Sequence, residues 1–212
     1  MLPVRAREKG TVMTTVNTAT IEDVAAPVSQ QVQRQRLTVD DLDRVPEDDI
    51  LRELVDGELR EWMVPGPDHG AIEADLGTEL NLFVRERRLG RIMTGEVRFR
   101  IKGDIHHARM ADVAYVTAAK YPSGRPPRKT DATQPDFVAE VISPDDSASM
   151  VQEKVRDWLS TGLRLLWLVY PETNQVVVYH VDGSAQTVEH DGVLGGGEVF
   201  PGLQLAVRSF LP

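Results

Sequence analysis

Two short apolar runs limit the folds open to this chain more than any other feature. Met110 to Val116 and Phe137 to Ile142 are short and largely apolar, the pattern of strands buried in the middle of a sheet. Each run is interrupted by a carboxylate. Asp112 sits in Met110-Ala111-Asp112-Val113-Ala114, and Glu140 in Phe137-Val138-Ala139-Glu140-Val141-Ile142. A buried carboxylate without a partner is costly, so such residues bind a metal, pair with a cation or face a solvent-filled cleft. Taken singly, each reads as an edge-strand residue facing water or as the structural partner of an arginine. Taken together on neighbouring strands, they point to a shared site.

The segments around these strands give the fold class. Thr38-Val39-Asp40-Asp41 has the form of a helix start with a capping box, and Pro46 keeps that helix short. Asp56-Gly57 between Glu53-Leu54-Val55 and Glu58-Leu59 is a hairpin signal. After the Pro65-Gly66-Pro67 break, Ile72, Leu76, Leu80 and Phe83 form one stripe at helical spacing, with Gly90 expected as the C-terminal cap. A strand from Arg91 to Ile101 follows, with Val97, Phe99 and Ile101 on one face, and Tyr121 to Gln134 reads as an exposed loop. Ser143 to Ser147 starts a further helix that Gly162 ends. Leu165–Tyr170 and Val176–Val181 form a hairpin through Pro171 to Asn174. Short antiparallel strands around Gly183 and Gly192 and a Gly195-Gly196-Gly197 loop complete the chain. The expected fold is α/β (α+β): a mixed sheet flanked by helices, with N-terminal and C-terminal β-hairpins. Residues 1–36 are small and polar without a period and read as a flexible tail. Residues 37–212 read as a single domain.

The chain has no cysteine, which excludes disulfides, zinc–thiolate sites and thiol catalysis. No apolar run approaches the roughly 20 residues that span a bilayer, and the N-terminus has no apolar signal-peptide core, so a cytoplasmic protein with no membrane partner is expected. The net charge of -9 counts against a protein whose main work is gripping phosphates, although carboxylates clustered for a metal also lower it. The basic segments Arg85, Arg87, Arg88, Arg91 and Arg125, Arg128, Lys129 read as solvated surface ahead of phosphate contacts.

Lys154 adds to the Asp112–Glu140 pair. At about 100° per residue, the stripe Val151, Val155, Trp158 and Leu159 leaves Lys154 about 85° from its centre. That is the rim of the buried face, from which a long side chain reaches into a cleft or snorkels to solvent.

From Leu37 to Pro212 the chain resembles the Uma2 (DUF820) family of restriction-endonuclease-like proteins, a branch of the PD-(D/E)XK nuclease superfamily. The resemblance is carried by Glu53-Leu54-Val55-Asp56-Gly57-Glu58, Pro67-Asp68-His69, Ala111-Asp112-Val113-Ala114 and Glu140-Val141-Ile142-Ser143-Pro144. It continues through Lys154, Gly162, Trp167-Leu168-Val169-Tyr170-Pro171 and Phe200-Pro201-Gly202-Leu203. It implies that Asp112 and Glu140 hold Mg²⁺, with Mn²⁺ as a substitute. It also implies that Lys154 serves as the superfamily lysine moved onto the following helix, since Ile142 occupies the strand position. Glu53 would point into the same site and join the metal shell, and His69 would position phosphate or water, or cap its helix. The implied activity is Mg²⁺-dependent endonuclease hydrolysis of DNA phosphodiester bonds, with a homodimer suited to cutting both strands. The sequence departs from the family pattern at Ala111, Met150, Trp158 and Leu165-Leu166. Two other readings remain. One is a catalytically inactive nuclease fold serving as a binding module, in keeping with the acidic charge. The other is a two-carboxylate glycosidase, which the 6% aromatic content disfavours.

Overall fold

A computed structural model describes residues 36–46 and 48–211, so the expected tail lies outside the described residues except for Arg36. The first elements follow local chemistry closely. Helix α1 (Val39–Leu42) is capped by Thr38, whose side chain accepts the Asp41 N–H while the Asp41 carboxylate accepts the Thr38 N–H, closing the capping box. Strands β1 (Ile50–Val55) and β2 (Glu58–Met63) pair antiparallel around Asp56-Gly57. Both turn residues have positive φ, 51° and 83°, as a tight two-residue hairpin requires.

Helix α2 (Pro67–Arg87) takes proline in its first turn and buries Ile72, Leu76, Leu80 and Val84. Its left-handed cap is Arg88, at φ 54°, and not Gly90 as the sequence suggests. Gly90 instead opens β3 (Gly90–Arg100), where it presses against β4 (Ala108–Thr117): a Cβ there would stand 2.2 Å from the Val116 carbonyl oxygen. Glycine is required by tertiary approach at this position, not by the helix end.

The remaining strands are β5 (Phe137–Val141), β6 (Leu165–Tyr170), β7 (Gln175–His180) and β8 (Ala185–Glu189), with helix α3 (Ala148–Ser160) between β5 and β6. The Ser147 hydroxyl caps α3 by accepting the Met150 N–H. The main sheet has eight strands in the order β2-β1-β4-β5-β6-β7-β8, with β3 also paired to β4. Every pairing in it is antiparallel except β5 with β6, which α3 connects as a crossover. A separate hairpin, β9 (Val193–Gly196) and β10 (Phe200–Ala206), forms the C-terminal sheet. Gly195 and Gly196 thus belong to a strand, not to the expected loop. A Cβ on Gly196 would meet Phe200 at 2.4 Å.

Two cores cover the two faces of the sheet. On one, α2 and the β9–β10 hairpin pack over Val113, Phe137, Ala139, Trp167 and Val169. On the other, Val151, Val155 and Trp158 of α3 pack over Ala114, Val138, Leu166 and Leu168. The segment from Tyr121 to Gln134 is mostly exposed but is pinned at two points. Tyr121 and Asp131 are buried, and the tyrosine hydroxyl donates to the Asp131 carboxylate. Arg85, Arg87, Arg88, Arg91, Arg125, Arg128 and Lys129 are all exposed. No helix among the described residues is long and apolar enough to cross a membrane.

Candidate active site

The site begins with a gap in the sheet. Strand β4 gives one edge to β3 along its whole length. The opposite edge meets β1 at Ala108 and β5 from Val113 to Tyr115, so no strand pairs with it between those contacts. Buried backbone groups cannot be left unbonded, and carboxylates take the place of the missing strand. Glu53 Oε1 accepts the Met110 N–H at 3.0 Å, and Asp112 Oδ2 accepts the Val141 N–H at 2.7 Å. One further step along the β4–β5 register brings Asp112 opposite Glu140. The two acids that interrupt the apolar runs therefore meet where β4 and β5 part.

Across from Asp112, β3 carries a bulge. The register shifts between Thr94 and Val97, so Gly95 and Glu96 together oppose a single residue of β4. Gly95 and Glu96 both have positive φ, 88° and 52°. The bulge turns Glu96 toward a cleft of about 690 Å³, which Asp112, Glu140, Lys154 and His69 also line. Glu96 and Glu73, which reaches the Gly95 N–H from α2, were not singled out by sequence reasoning. An isolated glycine within a strand pattern is the signal that could have located the bulge.

Lys154 comes in from α3. Its Nζ donates to Glu140 Oε2 at 3.0 Å and lies 3.6 Å from Glu53 Oε1. Trp158, one turn later, donates its indole N–H to Glu140 Oε1 at 2.7 Å. The family departure at Trp158 thus still provides a donor to the glutamate. Burial pushes the Glu140 carboxyl up from the usual carboxylate range; Lys154 opposes this, while the charges of Asp112 and Glu53 add to it. Burial would lower the Lys154 pKa, but Glu140, Glu53 and Asp112 outweigh it and hold the ammonium protonated beyond its ordinary range.

Glu53 and His69 sit differently from their neighbours. Glu53 is fully buried and does not line the cleft. Arg109 Nη1 donates to its Oε2 at 2.7 Å, so it stands behind Lys154 with both oxygens engaged. Arg109, itself 1% exposed, also bonds Asp157, and sequence reasoning gave no sign of it. His69, in the first turn of α2, places Nε2 3.4 Å from Asp112 Oδ2. The geometry falls short of a hydrogen bond, and the contact is an ion pair of the protonated ring: burial works against that charge, but Asp112, Glu73 and Glu96 outweigh it and raise the His69 pKa.

The donor set suits a hard divalent cation. Asp112, Glu140 and Glu96 face one cleft whose lysine is already bonded to Glu140, and oxygen ligands of this kind are what Mg²⁺ prefers. The indole bond that orients Glu140 can be tested by stability. Trp158→Phe should lower it by about 2–4 kcal/mol in urea unfolding, through the unsatisfied carboxylate oxygen and the lost volume. A loss below about 1 kcal/mol would show that the bond contributes little.

The architecture is that of a nuclease-like fold. A solved structure titled as a "putative nuclease belonging to DUF820" from Anabaena variabilis superposes with a TM-score of 0.70, covering 82% of this chain and 97% of that one at 23% identity. The chain belongs to the Uma2 family, described as "Putative restriction endonuclease", whose model matches residues 39–208. Comparison with curated proteins gives no match.

Proposed function

We propose that this protein is a metal-dependent endonuclease that hydrolyses DNA phosphodiester bonds at the cleft where β4 and β5 separate. The observation that carries this reading is the meeting of Asp112, Glu140 and Lys154 at that point, within a chain of the Uma2 family. Asp112 and Glu140 would hold Mg²⁺, or Mn²⁺ in its place. When bound, the ion would lower the pKa of a water and offset charge on the phosphoryl group.

The chain's own groups have separate tasks in this scheme. Lys154, which donates to Glu140 Oε2 at 3.0 Å at the edge of the cleft, would donate hydrogen bonds and positive charge to the scissile phosphate. Glu53 keeps Lys154 in place from behind and is itself fixed by Arg109 and the Met110 N–H. Trp158 fixes the orientation of Glu140. His69 stands at the far wall beside Asp112, where it can contact phosphate or water. A DNA substrate, a cytoplasmic setting, residues 37–212 acting as one nuclease domain, and a two-fold dimer for double-strand cleavage belong to the same proposal.

The test is cleavage of supercoiled plasmid with Mg²⁺ or Mn²⁺ by the wild type and Lys154→Ala. The wild type should nick or linearise the plasmid and stop when EDTA is added, and the variant should lose at least about 10²-fold in rate. Cleavage that survives EDTA, or an unimpaired Lys154→Ala protein, would contradict the proposal.

A further inference from the structure

The cleft that Asp112, Glu140 and Lys154 line extends beyond them to a wall of a different character. Leu51 and Trp62 are cross-strand partners on β1 and β2, and both line it. Met110 of β4 and Met150 of α3 do so too, as do Met63 and Val64 where β2 ends, although these two are 83% and 55% exposed. The placing of Trp62 follows from its neighbours. Arg60, two residues earlier on the same face of β2, donates to Glu153 of α3 at 2.5 and 3.0 Å, so that face looks toward α3. Met150 lies one turn before Glu153 on that helix. The Trp62 indole N–H finds no acceptor among the described residues, so packing alone holds the ring.

Such a cleft does not suit the backbone of a duplex. Proteins that grip DNA through its phosphates present lysine and arginine along its path. Among the described residues that line the cleft, Lys154 is the only lysine or arginine, and it already bonds Glu140. Asp68, Asp145, Asp146 and Glu172 line it as well, and each repels a phosphate. The basic segments from Arg85 to Arg91 and from Arg125 to Lys129 take no part in it. A base, by contrast, brings a flat face that stacks on an aromatic ring and packs against methionine without needing a counter-charge. It offers that face only when it is out of the stack and unpaired. The cleft, at about 690 Å³, has the size of a site for a small molecule, and it places an apolar wall and a lysine in one space. A single nucleotide has the matching halves: an apolar base and one phosphate.

We propose that this wall is a base-binding subsite, and that the protein cuts DNA at an unpaired nucleotide whose base stacks on Trp62 and packs against Met150 while its phosphate lies at Lys154. The inference rests on the nuclease reading for the cleavage step and narrows its substrate to unpaired DNA; binding of the base stands or falls separately. The hydrolysis is unchanged: water adds to phosphorus, one P–O ester bond breaks, and the leaving oxygen takes the proton. Supercoiled plasmid, whose strain favours local opening, is a substrate on these terms, and relaxed duplex is a poor one.

The experiment has two readouts on the full chain, each comparing a short single-stranded oligonucleotide with its fully paired duplex. The first is tryptophan fluorescence, with Ca²⁺ replacing Mg²⁺ to hold off cleavage. Trp158 and Trp167 are fully buried, so stacking reports through Trp62. The single strand should quench the emission saturably, the duplex should need at least about tenfold more to do so, and Trp62→Phe should abolish the quenching. The second is cleavage with Mg²⁺ or Mn²⁺. The single strand should be cut at least about tenfold faster than the duplex, and Trp62→Ala should raise KM for the single strand at least about fivefold with little change in kcat. Trp62→Phe keeps a ring for stacking and should cut nearly as the wild type does. An absence of quenching by the single strand, or equal cutting of both substrates by wild type and Trp62→Ala alike, overturns the subsite; cleavage seen in either case leaves the nuclease reading standing. Quenching that depends on Trp62, with neither substrate cut, keeps the subsite and sinks the nuclease reading.

Discussion

Asp112→Asn should leave the fold intact and reduce plasmid cleavage by roughly 10³-fold. The side-chain oxygen of asparagine can still accept the Val141 N–H that Asp112 Oδ2 now accepts, so the junction of β4 and β5 keeps its bond. What disappears is the negative charge beside Glu140 at the head of the cleft. In unfolding experiments the variant should stay within about 1 kcal/mol of the wild type, which separates loss of chemistry from loss of structure. A variant that cuts at the wild-type rate would remove Asp112 from the reaction.

Arg109→Met should be the most destabilising of these substitutions, by about 3–5 kcal/mol. Arg109 is 1% exposed, and its guanidinium donates to Glu53 Oε2 from Nη1 at 2.7 Å and to Asp157 Oδ2 from Nε at 2.7 Å. Methionine fills most of the volume but leaves Glu53, which is fully buried, with an oxygen that has no donor. The cost therefore comes from stranding a charge and not from a cavity. Adding Glu53→Gln to Arg109→Met should recover a substantial part of the loss, because the stranded charge goes with it. Urea unfolding of both single variants and the double variant measures this coupling. Strict additivity would show that the pair does not act as a unit.

The parts of the site that could be read from the sequence were those where one residue contradicts its neighbours. Asp112 and Glu140 stand out because an acid in an apolar strand needs a reason, and Lys154 because its angle on the helix sets it at the rim of the buried stripe. The Asp56-Gly57 hairpin and the Thr38 capping box are encoded within a few residues and were equally legible. The rest depends on contacts between distant segments. Arg109 precedes the apolar run and carries no local signal; its burial requires Glu53 and Asp157, 56 and 48 residues away. Glu96 becomes a cleft residue only because β3 bulges against β4. Trp158 reads as core packing, which it is, but its bond to Glu140 needs β5 in place beneath it. Gly90 was misassigned because a glycine after a helix usually marks its cap, whereas here the pressure comes from Val116 on the next strand.

The most direct measurement sets cleavage against metal occupancy in one preparation, titrating Mg²⁺ while following plasmid nicking by gel and binding by calorimetry. Nicking should rise in step with occupancy, and both should be lost in Asp112→Asn. Nicking that needs no Mg²⁺, or Mg²⁺ binding unchanged by Asp112→Asn, would contradict a metal centre at Asp112 and Glu140.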